Sequence, residues 1–157
     1  MDAFFQKYNQ KLEEKCALGL NGECFIWTGS CTPNGKYGVI HCRFPGAIGW
    51  KLLYVHRLAY MIQHRAAQLA AVDVSHLCHN TKCINVAHLV LEPHGINNSR
   101  QTCVSKGECI GHIAPFPPCL VHLKMPDNNL GILMDLKENG QGKVFIYSLN
   151  FILFVSI

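Results

Sequence analysis

Cys78, Cys83 and His88 follow one another with four residues between each and the next in the run from Ser75 to His88, SHLCHNTKCINVAH. They are three of the four soft or borderline ligands that a tetrahedral zinc site takes. His76 lies just outside this set. An imidazole whose backbone is fixed by a neighbouring metal loop, but which is not itself a ligand, is free to accept a proton from water. The fourth ligand must come from elsewhere, and Cys42 is the first choice, because a ligand at the end of a strand would staple a sheet to this segment. Cys24, Cys31, His41 and His79 are its rivals.

A second set follows at Cys103, Cys109, His112 and Cys119, in a stretch rich in Gly and Pro with few apolar residues of its own. Such a loop needs a staple, and zinc supplies one because its binding free energy becomes folding free energy. Four protein ligands at each site leave no open position, so both zinc ions are expected to be structural. Buried thiols without metal are the plain alternative.

The elements that must position these residues come next. Phe4, Tyr8, Leu12 and Cys16 repeat every four residues, which predicts an amphipathic N-terminal helix. Residues Cys24–Gly29 (CFIWTG) and Tyr37–Phe44 (YGVIHCRF) flank a Pro33–Gly35 turn and predict a hairpin, with WKLLY at 50–54 as a third strand. Leu58, Met61 and Ile62 place a helix over Val55–His64. A strand or loop carrying His76, a strand over His88–Glu92 and a helix starting near Pro93 complete the order. The fold class is therefore α+β, built on a small antiparallel sheet.

One domain with appended segments is expected for 157 residues that are 49% hydrophobic. The expected division is an N-terminal helix at 1–20, a metal-stapled domain at 21–120, and a divergent hydrophobic tail at 121–157. The tail ends in fourteen residues without a charge, too short for a comfortable membrane span, and reads as an extension that packs on nothing. Nine cysteines and nine histidines exceed what packing needs. The first residues lack the apolar stretch of a signal peptide, so an intracellular, nuclear location and metal-bound thiols are expected over a secreted disulfide protein.

The net charge is only +4, yet Lys36, Arg43, Lys51, Arg57, Arg65 and Lys82 face a single acid, Asp73, in the stretch 36–82. Tyr37, Phe44, Trp50, Tyr54 and Tyr60 interleave with them. A basic strip with aromatics suits a polyanion such as nucleic acid.

Taken together, the box SHLCHN, the IHCRF strand, YGVI and VHRLAY make the chain resemble the His-Cys box homing endonucleases over roughly Trp27–Cys119. These belong to the wider His-Me finger, or ββα-metal, nucleases that include the HNH enzymes. The resemblance implies a ββα-metal core stapled by two structural zinc sites, Cys42, Cys78, Cys83 and His88 at the first and Cys103, Cys109, His112 and Cys119 at the second. It implies that His76 is the general base and that Asn97, with Asn98 as the neighbouring alternative, holds one catalytic Mg²⁺. Arg57 would add a fixed positive charge at the phosphate. Double-stranded DNA is the implied partner, together with a homodimer, although the residues after Cys119 do not match the family's dimer-forming extension. No membrane partner is implied. The activity expected is metal-dependent DNA cleavage; an inactive zinc-stabilised module that binds nucleic acid or protein is the alternative.

Overall fold

Helix α1 (Asp2–Glu14) buries Phe4, Phe5, Tyr8 and Leu12, one stripe at helical spacing, against the rest of the core. Burying each such side chain contributes roughly 1.5–3 kcal/mol, which makes α1 part of the core instead of an appendage. The computed structural model describes residues 1–20, 23–69, 71–120, 146–148 and 151–153, in two compact units, Met1–Leu123 and Lys124–Ile157. The second unit is described only by strands β7 (Ile146–Ser148) and β8 (Phe151–Leu153), which pair antiparallel. Most of the hydrophobic tail lies outside the described residues. Among those residues no helix is long and apolar enough to cross a membrane.

Strand β1 (Cys16–Leu18) runs antiparallel to β2 (Phe25–Trp27). The free edge of β2 then takes up the zinc-loop backbone: Trp27 N donates to Lys82 O at 2.9 Å and Ile84 N to Phe25 O at 2.7 Å. The hairpin expected between Cys24–Gly29 and Tyr37–Phe44 is therefore reduced to one bridge, Cys31 with Gly38. Both edges of β2 are occupied by other segments, and Trp27 fills the space at the turn. A side chain at Gly38 would put its Cβ 2.5 Å from Trp27 Cδ1 and 2.6 Å from Val55 Cγ2, so only glycine fits there.

Strand β3 (Val39–Cys42) pairs instead with β4 (Lys51–Tyr54), the expected third strand, with His41 opposite Leu52 and Cys42 opposite Lys51. Helix α2 (Val55–Gln63) follows β4 directly and buries Val55, His56, Leu58, Ala59, Met61 and Ile62. Tyr8 of α1 ties this half together: its hydroxyl accepts a hydrogen bond from Arg43 N at 3.1 Å.

The remaining half is strand β5 (Asp73–His76), antiparallel to β6 (Leu89–Glu92), then α3 (His94–Lys106). Strand, loop, strand and helix come in the expected order. Pro93 sits at the α3 N-cap with extended backbone, and Gly107 closes the helix in the left-handed conformation, φ 72°. Asp73 pairs with Glu92 and Ser75 with Val90, and these four share the hairpin face that meets α3. Val74 and Leu89 lie on the other face, in the core.

Candidate functional site

The first ligand cluster is built where β2 and the zinc loop share backbone hydrogen bonds. Cys24 lies one residue before β2, and its sulfur stands 3.5 Å from His88 Nδ1, while Cys83 Sγ is 3.7 Å from the same nitrogen. The ligand atoms of Cys24, Cys78, Cys83 and His88 all lie within 4.8 Å of one another. Tetrahedral zinc with Zn–S about 2.3 Å and Zn–N about 2.0–2.1 Å requires S···N separations of about 3.5 Å, which these distances match. Cys42 is not a ligand in this arrangement. It is fully buried in the hydrophobic core with Tyr8, and burial pushes its thiol up to about 11. β3 is paired with β4, which holds Cys42 on the core side, whereas β2 is bonded to the loop that carries Cys83. Cys24 therefore takes the fourth place.

The loop itself is held by several local bonds. His79 turns the chain at φ 58°, and its N–H donates to His76 O at 3.2 Å. Asn80 Oδ1 accepts from Lys82 N, and the Thr81 hydroxyl donates to Lys36 O. Asn85 caps the short 3₁₀ turn Val86–His88 through Oδ1, which accepts from Ala87 N at 3.1 Å, and so sets His88 over the sulfurs. Cys78 is pushed down, chiefly by the Cys83 thiol beside it, and Cys83 is pushed up, chiefly by Cys78 in turn.

The second cluster is Cys103, Cys109, His112 and Cys119, again within 4.8 Å. It is the set expected from the sequence. His112 Nε2 lies 3.6 Å from Cys103 Sγ and 3.2 Å from Cys119 Sγ, and its Nδ1 is 3.1 Å from the Ser99 hydroxyl. A partner on the far ring nitrogen orients an imidazole ligand. Arg100 of α3 supports the same cluster from below. Its Nε and Nη2 form a bidentate pair with Glu92 at 2.7 Å each, both side chains almost fully buried, and Nη2 also donates to Pro117 O. Its Nη1 reaches Cys119 Sγ at 3.4 Å. Leu120 N donates to Leu77 O at 2.8 Å, which joins the second loop to the first.

His76 is not part of either cluster. Its Nε2 is 3.1 Å from Cys83 O, and since a carbonyl only accepts, Nε2 carries the proton and Nδ1 is the acceptor. Its ring packs on His56 with centroids 4.5 Å apart. Burial pushes His76 down to about 4, so the ring is neutral at neutral pH. His56 is pushed down further, to about 2, by burial first and by His76 and Arg57 next, while Asp73 opposes the shift.

Asn97 contacts Asp73: its Nδ2 donates to Asp73 Oδ2 at 2.8 Å, and His94 Nδ1 meets the same oxygen at 2.7 Å. No hydrogen bond or ring contact among the described residues joins His76 to Asn97. The two are related through His56, which rests on His76 and feels the charge of Asp73. Asn98 is exposed beside Asn97. Arg57 spends Nη1 on Val72 O at 3.0 Å, where it anchors the entry to β5. Asp73, His56 and His94 were not among the expected site residues. The lone acid of a basic stretch and the histidine of VHRLAY are the signals by which the first two could have been found.

The expected basic strip divides. Arg65 pairs with Asp2 at 2.9 Å and Arg57 is tethered, whereas Lys36, Arg43 and Lys51 stay exposed. Trp50, Leu52 and Tyr54 are exposed on alternate positions at and along β4, so one side of the β3–β4 ribbon is both apolar and flanked by cations.

One family, described as the zinc-binding loop region of homing endonuclease, matches residues 23–124, more than half of the chain. No curated protein and no solved structure matches.

Proposed function

The chain belongs to the family of the zinc-binding loop region of homing endonucleases, and on that premise we propose that it is a metal-dependent DNA endonuclease that hydrolyses phosphodiester bonds. The β5–β6 hairpin and α3 then form its ββα-metal unit, and the two Cys₃His clusters are zinc staples with no catalytic part. The observation that carries the reading is the unligated His76 ring, set by the Cys83 carbonyl inside a loop whose neighbouring side chains are grouped as metal ligands.

His76 acts as the general base. With Nε2–H given to Cys83 O, Nδ1 takes the proton from the attacking water, a contribution of about 10²–10⁴-fold. Its position low on the pH scale keeps it unprotonated throughout the neutral range. Asn97 offers a hard carboxamide oxygen of the kind Mg²⁺ takes alongside its own waters. When bound there, the cation supplies positive charge for the scissile phosphate and the leaving 3′ oxygen. Arg57 positions β5 through Val72, and its charge also adds to the field around Asp73.

The β3–β4 ribbon supplies the DNA contact. A two-stranded ribbon fits the major groove, with Lys36, Arg43 and Lys51 on phosphates and the exposed ring of Trp50 against the duplex.

Incubation of the zinc-loaded chain with supercoiled plasmid and Mg²⁺, beside His76→Ala, tests the proposal. Wild-type chain is expected to nick the plasmid, and the variant to be slower by the factor above. Equal nicking by both removes His76 as base; nicking by neither leaves a zinc-stabilised nucleic-acid-binding module.

A further inference from the structure

A carboxamide has two ends of nearly equal size, and only its oxygen can ligate a hard cation. Something must therefore fix which way Asn97 faces. On α3 one turn from Asn97 stands His94, and across from both, at the start of β5, stands Asp73. We propose that Asp73 is the positioning residue for the catalytic cation: by accepting Asn97 Nδ2–H it turns the carboxamide so that Oδ1 is presented as the ligand. This inference rests on the reading of Asn97 as the cation's holder.

The chemistry is one-directional. An ionised carboxylate has no proton to give, so the Asn97 group against it must be the amide nitrogen, and a flipped Asn97 would set oxygen against oxygen. The 2.8 Å separation is that of a charge-assisted hydrogen bond. His94 Nδ1 at 2.7 Å from the same oxygen gives the carboxylate a second donor and holds it in place. The same hairpin face carries Ser75, almost fully buried, whose hydroxyl has no hydrogen-bond partner among the described residues. Positioning of a ligand by a carboxylate behind it typically changes metal affinity by about 10–100-fold.

The test reads cation binding directly. Full-length zinc-loaded chain carrying His76→Ala, so that duplex DNA stays uncut, is titrated with Mn²⁺ and the free ion is followed by electron paramagnetic resonance. Added Asp73→Asn is isosteric but can donate to Asn97 Oδ1 and trap the oxygen, and is expected to raise the Mn²⁺ dissociation constant by about 10–100-fold. Added Asn97→Ala is expected to abolish the binding. Asp73→Glu, which restores an acceptor, is expected to recover part of the affinity. Two zinc ions per chain in every variant show that the fold is retained.

Unchanged affinity in Asp73→Asn, or a loss in Asp73→Glu as large as in Asp73→Asn, overturns the inference. Absence of any bound Mn²⁺ in the parent overturns it together with the cation role of Asn97. Binding that depends on both residues, in a chain whose wild-type form leaves plasmid intact, keeps the inference and removes only the cleavage.

Discussion

Replacing Cys24 and Cys42 one at a time separates the two candidate zinc frameworks, because the two thiols lie in different environments. Cys24 Sγ is at ligand distance, 3.5 Å, from His88 Nδ1, and Cys42 is fully buried among core side chains. A structural zinc contributes about 10–16 kcal/mol, so one of four ligands carries about 3 kcal/mol if they share it evenly. That is a weakening of about 10²–10³-fold in zinc affinity. Cys24→Ser should therefore give one zinc per chain after dialysis against a moderate chelator, where the wild type keeps two. Cys42→Ala removes one buried sulfur from the core, comparable with the loss of a methylene, about 1 kcal/mol, and lowers the melting temperature by about 2–8 °C. It should keep both zinc ions. Metal analysis by mass spectrometry and a thermal melt read the two effects. A Cys42→Ala chain with one zinc, beside a Cys24→Ser chain with two, would refute the placement of β2 against the zinc loop.

Three further outcomes follow from the geometry. Glu92→Gln leaves the buried Arg100 cation without its carboxylate and should cost about 3–5 kcal/mol in denaturant unfolding; a loss below 1 kcal/mol would show that water reaches the pair. His56 is depressed in the folded chain, so its unfolded form binds a proton near pH 6.5 while the folded form binds none until far lower, and stability is lost as pH falls below 6.5. Compared with His56→Leu, the wild type should lose up to about 1.4 kcal/mol more per pH unit between pH 6 and 5 with zinc content unchanged; parallel curves would contradict the burial of that ring. Finally, Arg43→Ala and Lys51→Ala should each reduce the dependence of duplex binding on log salt by about 1, with little change in zinc content or melting; an unaltered slope places the DNA elsewhere.

Spacing within one loop was readable because it is local. The second cluster, the stripe of α1, the order of β5, β6 and α3, and the separation of His76 from its ligating neighbours all follow from residues close in sequence. The fourth ligand of the first cluster was not readable in this way. Cys24 and Cys42 are each attached to a strand, and the choice between them depends on which strand edge the loop at 82–84 joins, a pairing some sixty residues away in the chain. The same holds for the Pro33–Gly35 turn, whose flanking strands were drawn to other partners because β1 and the zinc loop occupied both edges of β2. Asp73 stood out as a lone acid, but its meaning depends on two donors brought to it by α3, at His94 and Asn97.

Arg100 has a reach that neither cluster has alone. It grips β6 through Glu92 and the second loop through Pro117 and Cys119, and it sits on the same helix as Asn97, three residues on. Stripping the ion from the distal loop would thus slacken the seat of that helix, and with it the hold on Asn97. On the proposed reading, zinc starvation would disarm the protein at a site where zinc does no chemistry.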